Sequence, residues 1–206
     1  MTVLFKLGGS LLTLAGLPEN LRAAVSERQQ QEPCLILTGG GATADVVRDW
    51  SRVHQLPDET AHWLAIASLD LNRQLLESLL SWHSISTRAE FRRMTQRTPI
   101  PLLLDFNTFV KAEEPLSNRP LPHNWDVTTD SLAAWTALCW PARELVLLKS
   151  VPIPAGLTAQ AASEQDLVDP YLPQLAQDLE CISWCDLRHE PRVIQPWLKQ
   201  GIPQAK

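Results

Sequence analysis

Short runs of consecutive apolar residues alternate with longer stretches in which apolar residues recur every three or four positions. Val3-Leu4-Phe5, continued by Lys6-Leu7, ends at Gly8-Gly9-Ser10, the pattern of a buried strand entering a turn. A helix is predicted from about Pro18 to Gln30. Cys34-Leu35-Ile36-Leu37-Thr38 then repeats the compact run and ends at Gly39-Gly40-Gly41, with a further helix over Ala42 to Val53. Strand, crossover helix, strand, helix is the order of an α/β fold with a parallel sheet covered by helices.

Asp58 to about Trp82 carries Ala61, Leu64, Ala65, Leu69, Leu75, Leu76 and Leu79, a long amphipathic helix, continuous or interrupted, by its spacing. Leu102-Leu103-Leu104 is a third strand. The stretch through Pro115, Pro120 and Pro122 has the turn chemistry of an exposed connection, and the boundary between two lobes, 1–120 and 121–206, is set there within one domain. Thr128 or Thr129 is expected to cap a helix containing Ser131 to Leu138 through its hydroxyl. A strand over Glu144 to Lys149, a helix over Asp169 to Leu179 and a last strand over Cys181 to Leu187 complete the expected elements.

A length of 206 residues suits one domain, with room for two lobes. Eighteen basic against 23 acidic residues give a formal charge of -5, which argues against a basic surface for nucleic acid. No apolar run approaches the roughly 18 residues of a membrane span, and the first ten residues lack the features of a signal peptide, so a cytoplasmic protein is expected. Four irregularly spaced cysteines, Cys34, Cys139, Cys181 and Cys185, read as reduced core thiols.

Of only eight glycines, five stand in the two clusters that follow strands. Glycine allows positive φ and close backbone approach, so such turns direct amides at phosphate or carboxylate oxygens at the carboxyl ends of parallel strands. Neither cluster has Gly-x-Gly-x-x-Gly or a P-loop Gly-Lys-Ser/Thr, which disfavours a Rossmann dehydrogenase or a standard P-loop enzyme. Lysine is scarce, five residues, yet Lys6 lies inside one apolar strand and Lys149 closes another. There a lysine delivers a compact positive charge to a transferring phosphoryl group; the alternative is a stem packed along the sheet with its ammonium in water.

Asp126 and Asp130 flank Val-Thr-Thr at a helix entrance, where a carboxylate caps the helix, positions a lysine or receives magnesium through water. Asp45 and Arg48 follow the triple glycine; Arg48 either grips an anionic substrate or forms a surface ion pair. His62, four residues after Asp58, is a candidate substrate contact. Eight scattered tryptophans, Trp50, Trp63, Trp125 and Trp135 among them, read as core or interface packing.

In order, Lys6-Leu-Gly-Gly-Ser10, Thr38-Gly-Gly-Gly-Ala-Thr-Ala-Asp45 and Trp125-Asp-Val-Thr-Thr-Asp-Ser131 resemble the amino-acid kinase family. Within it, Ala61-His-Trp-Leu-Ala-Ile66, Leu121-Pro-His-Asn-Trp-Asp-Val-Thr-Thr-Asp-Ser-Leu-Ala133 and Leu147-Leu-Lys-Ser-Val151 look most like the branch that phosphorylates an aminomethylfuran methyl phosphate in methanofuran biosynthesis. The resemblance implies a three-layer α/β/α sandwich with a mainly parallel sheet, a lobe over 1–120 for a small phosphate acceptor, and a shortened lobe over 121–206 for ATP with Mg2+.

Position by position, the resemblance makes Lys6 the lysine that contacts the transferring phosphate, and Gly8, Gly9 and Ser10, with Thr129, the phosphate and ATP contacts. Gly39, Gly40 and Gly41 become the acceptor turn, with Arg48, His62 and Asp126 beside it. Asp130 becomes the acid that organises the catalytic lysines or magnesium; no metal ligand is assigned. The Gly-Gly-Met-x-x-Lys pattern of many relatives does not occur in the later part of the chain, and Lys149 stands where many have Thr-Asp, so Lys149 is expected to supply that positive charge. A homodimer through the long helix is compatible with the sequence.

Overall fold

The computed structural model describes residues 1–96 and 100–199. Seven strands form one sheet: β1 (Val3–Leu7), β2 (Cys34–Thr38), β3 (Ser84–Ile85), β4 (Leu102–Leu104), β5 (Glu144–Lys149), β6 (Cys181–Asp186) and β7 (Gln195–Lys199), in the spatial order β3-β4-β2-β1-β5-β6-β7. All neighbours are parallel except β6 and β7. β1 occupies the centre. From it the chain builds outward through β2 to one edge, then returns to β5 on the other side, and in such sheets ligands gather beyond the carboxyl ends where the direction reverses.

Because successive side chains point to opposite faces, each apolar strand serves two cores. Leu4, Leu35, Leu37, Leu145 and Leu147 belong to one, covered by α3 (Asp58–Leu80), α5 (Phe106–Glu113), α6 (Thr129–Cys139), α7 (Ala159–Glu164) and α8 (Leu172–Ala176). Val3, Phe5, Leu7, Ile36, Val146 and Leu148 belong to the other, covered by α1 (Leu17–Gln29) and the end of α3 through Leu76 and Leu80. The result is the expected three-layer α/β/α sandwich. The four cysteines are all free thiols, two of them buried.

The strands from Val3, Cys34, Leu102 and Glu144 fall where the apolar runs predict. The long helix runs unbroken over Asp58–Leu80 and stops where Ser81 turns to φ 56°. Its outer face is not wholly polar: Leu64, Leu71, Leu75 and Leu79 are exposed, beside Val46, Trp50 and Val53 of α2 (Gly41–His54).

Three expectations are corrected, and a stretch to which the pattern assigns no element acquires two. The stretch after Leu104 is not an open connection throughout: Asp105 caps α5 by accepting from the Thr108 amide at 3.0 Å, and Phe106, Phe109 and Val110 are buried at i, i+3, i+4 spacing. Between Trp82 and Leu102, β3 and α4 (Arg88–Thr95) form, the latter from a Thr87–Glu90 capping box. The helix expected over Asp169 to Leu179 is confined to Leu172–Ala176, and Cys181–Asp186 is followed by one more strand, β7. No helix of the described residues is long and apolar enough to cross a membrane.

Candidate active site

The period-two rule decides which lysines meet. Lys6 shares a face of β1 with Leu4, Lys149 shares a face of β5 with Leu145 and Leu147, and the pairing register sets Lys6 opposite Leu147. Both ammonium groups therefore lie on the side of the sheet that α6 covers, Lys149 two residues nearer the carboxyl end. Asp130, in the first turn of α6, receives them on separate oxygens: Lys6 Nζ is 2.8 Å from Oδ1 and Lys149 Nζ 2.7 Å from Oδ2. Lys6 and Asp130 are 4% and 5% exposed, so the alternative of an ammonium in water fails for Lys6.

Two ammonium groups share one carboxylate in a buried place, with the Asp169 carboxylate near enough to act on Lys149 and Asp130. Burial opposes ionisation of Asp130, but Lys149 and then Lys6 more than compensate and hold it down at about 2. Burial, with Lys6 nearby, pushes Lys149 below its usual range despite Asp130. Lys149 also donates to the Leu167 carbonyl at 2.6 Å and sits 5.3 Å from the Trp184 ring centre. Lysines held at the carboxyl ends of two parallel strands are placed to meet an anion that arrives there.

Asp169, a residue that sequence reading assigns no role in the site, organises the start of α6. Its Oδ2 accepts from the Thr128 amide and hydroxyl at 3.0 and 2.9 Å and from the Ser131 amide at 2.9 Å; its Oδ1 accepts from the Ser131 hydroxyl and from the Leu172 amide. The expected threonine cap is thereby corrected: Thr128 occupies the cap position, but its hydroxyl donates to Asp169 instead of accepting a first-turn amide. Burial and the neighbouring Asp130 raise Asp169 above its usual value, against the bonds from Ser131 and Thr128. Its placement depends on a contact 38 residues away, which leaves no local pattern.

The two glycine turns touch. The Gly39 amide donates to the Leu7 carbonyl at 2.7 Å and the Gly8 amide to the Leu148 carbonyl at 2.8 Å. A Cβ on Gly9 would lie 2.1 Å from the Gly41 nitrogen, and Gly41 holds φ +54°, so glycine is needed here for contact between backbones as well as for conformation. Asn72 locks the second turn, its Nδ2 2.8 Å from both the Gly39 and Gly40 carbonyls. A polar residue in the buried stripe of α3, between Leu69 and Leu76, is the signal that could have found it. Ser10 follows the first turn, exposed, and donates to the Ser150 hydroxyl beside Lys149.

A cavity of about 160 Å³ opens between α2, α3 and the start of α6. Gly40, Gly41, Arg48, His62 and Thr129 lie on its wall, with Trp125; Gly39 and Asp126 do not. Asp126 belongs to a turn, its amide donating to Asn124 Oδ1 and its carbonyl accepting from the Tyr171 amide. Arg48 takes the ion-pair alternative, pairing with Asp45 at 2.6 Å, while its guanidinium lies 4.7 Å from the Trp125 ring centre. Trp125 is thus a wall of the cavity and not merely packing.

His62 is buried, and its Nε2 has no hydrogen-bond partner. Its ring stacks on that of His123 at 4.2 Å and 13°, and His123 bridges Glu59 at 2.5 Å and Glu114 at 3.0 Å. Burial works against a charge on His123, but the bonds to Glu59 and Glu114 raise it; burial, and then His123, push His62 down to about 4.

Similar proteins share this arrangement of chain. The chain is 24% identical over 200 residues, 92% of its length and 89% of the relative's, to [5-(aminomethyl)furan-3-yl]methyl phosphate kinase of Methanocaldococcus jannaschii. Among solved structures, uridylate kinase of Archaeoglobus fulgidus superimposes with a TM-score of 0.60 at 16% identity, covering 89% of each chain. Aspartate kinase of Synechocystis gives 0.62 at 14% identity, covering 96% of this chain and 40% of that one. The sheet order and the sandwich are therefore those of known kinases. The sequence model of the amino acid kinase family matches residues 1–153, which contain both glycine turns, Lys6, Asp130 and Lys149, and the chain belongs to that family of phosphotransferases.

Proposed function

We propose that this protein is an ATP- and magnesium-dependent kinase that transfers the γ-phosphoryl group to a small phosphate monoester, with [5-(aminomethyl)furan-3-yl]methyl phosphate as its acceptor. The observation that carries the reading is the buried Lys6–Asp130–Lys149 cluster at the carboxyl ends of β1 and β5 beside two glycine turns. The acceptor is assigned to the cavity between α2, α3 and the start of α6, and ATP to the side of residues 121–206 near Ser10 and Lys149. The curated relative supports the choice of acceptor.

An oxygen of the acceptor phosphate attacks the γ-phosphorus, the bond to the β-phosphate oxygen breaks, and a diphosphate and ADP result. Lys6 and Lys149 balance the charge that spreads over the transferring oxygens, while Asp130 holds both lysines in position. The Gly8–Gly9 turn orients phosphate through the Gly9 amide, since the Gly8 amide is held by the Leu148 carbonyl, and the amides at Gly40 and Gly41, at the start of α2, receive the acceptor. The donor set fits magnesium that arrives with the nucleotide: both Asp130 oxygens hold lysines, and no group of three or more His, Cys, Asp or Glu among the described residues gathers to bind an ion. When bound, magnesium–ATP supplies the phosphoryl group and a cation that offsets its charge.

The test is ADP formation by purified protein with magnesium–ATP and the aminomethylfuran phosphate, beside small carboxylates and other phosphate monoesters, with Lys6→Ala as control. Furan-dependent turnover that the substitution abolishes supports the reading. Turnover only on another acceptor moves the substrate within the family, and no turnover on any acceptor overturns it.

A further inference from the structure

The cavity is polarised from end to end. Leu69 packs against Gly40 at the turn that starts α2, and His62 stands seven residues earlier on α3, about 10 Å along the helix axis. At the Gly40 end lie the amino-terminal turns of α2 and α6, with Thr129 preceding Asp130 and its two lysines. Behind His62 lies the opposite sign: the carboxylates of Glu59 and Glu114 flank His123, so that even a protonated ring leaves an excess of negative charge there. Asp45 and Arg48, on the wall between, pair with each other and cancel. A molecule that complements both ends carries an anion at one and a cation at the other.

His62 is the group in position to touch that cation. It is 5% exposed, lies on the cavity wall, and its Nε2 lacks a partner, an unfavourable state that a ligand would relieve. We propose that His62 accepts a hydrogen bond from a primary ammonium on the acceptor, and that the enzyme thereby selects small phosphate monoesters that carry an amine. The proposal rests on the kinase reading above and adds to it the residue that reads the far end of the substrate. A protonated imidazole would repel an ammonium. The pKa of His62, pushed down to about 4, keeps the ring neutral near pH 7, with a lone pair to offer. Glu59 and Glu114 add the attractive field, and the flat stack on His123 holds the ring in place.

The experiment compares the aminomethylfuran phosphate with its hydroxymethyl counterpart, and an aminoalkyl phosphate with the alkyl phosphate of the same length, on wild type, His62→Leu and His62→Gln. Wild type is expected to favour each amine by about tenfold in kcat/KM, mostly through KM, as for one hydrogen bond to a charged group. His62→Leu is expected to bring that ratio near one, and His62→Gln, whose carbonyl also accepts, to restore most of it. Equal losses on both members of a pair, or no amine preference in wild type, overturn the proposal. If wild type turns over no furan phosphate, the acceptor reading fails instead. Amine recognition is then read from the rise in melting temperature with aminoalkyl against alkyl phosphate, where equal rises overturn it.

Discussion

Lys6 and Lys149 reach opposite oxygens of one carboxylate from neighbouring parallel strands, at 2.8 and 2.7 Å. The register that sets Lys6 opposite Leu147 makes this possible, since a shift of one residue in β5 would turn Lys149 to the other face of the sheet. The charge cluster is thus a product of strand pairing, with α6 supplying its counter-ion.

Removal of either lysine is expected to damage turnover more than folding. Lys6→Met and Lys149→Met each leave Asp130 one partner, so kcat is expected to fall about 10²- to 10³-fold, the loss typical of a donor aimed at developing charge. Asp130→Ala leaves two buried ammonium groups without their counter-ion and is expected to cost about 3–5 kcal/mol of stability. Urea denaturation beside steady-state kinetics separates the two effects, and full turnover in Lys6→Met removes that lysine from the chemistry.

Stability is expected to fall with acid in two windows. His62 is pushed down to about 4, so between its unfolded value of about 6.5 and that pH the unfolded chain binds a proton that the folded chain refuses, and stability drops. Asp130 is held down to about 2; its contribution is present above about 4 and is lost as pH falls through about 2. Asp169, shifted upward, works in the opposite direction. Melting temperatures of wild type, His62→Gln and Asp130→Asn across pH 2–8 check this: the upper drop should shrink in the first variant and the lower in the second.

Glycine is needed at the touching turns and merely convenient elsewhere. In Gly9→Ala the new Cβ meets the Gly41 nitrogen at 2.1 Å, and backbone cannot yield as a side chain does. Loss of soluble, folded protein is the expected result. Gly156 also holds a positive φ, +72°, but nothing lies within 4 Å, so Gly156→Ala should cost only about 1–2 kcal/mol of left-handed strain. Comparable losses at both positions would count against a role for backbone contact.

Asp169→Ala tests the hidden organiser of α6. The substitution strips partners from the Thr128, Ser131 and Leu172 amides and is expected to destabilise the fold by about 1–3 kcal/mol. Thr129 and Asp130 stand between two of those amides, so kcat should fall as well. Asp169→Asn, which keeps an accepting oxygen, should recover part of both, and thermal melts with initial-rate kinetics provide the comparison.

The sandwich, its central strands and the chemical identity of the cluster were legible in the sequence. Compact apolar runs ending in glycine specify buried parallel strands, and scarce lysines inside such runs stand out because a buried ammonium requires an anionic partner. What remained hidden was nonlocal. No spacing announces that Asp169 caps a helix 38 residues before it or that Trp125 walls a cavity, and the place of Asn72 in a buried stripe does not name the glycine turn that it ties down, because each depends on which elements pack together. Asp126 and Asp130 look equivalent as sequence, four residues apart, yet one belongs to a turn away from the cavity wall and the other receives both lysines. Residue types and periodicity determine which side chains must be buried; only tertiary packing decides which of them meet, since opposite charges inside a protein are stabilised by partners at bonding distance and not by neighbours in the chain.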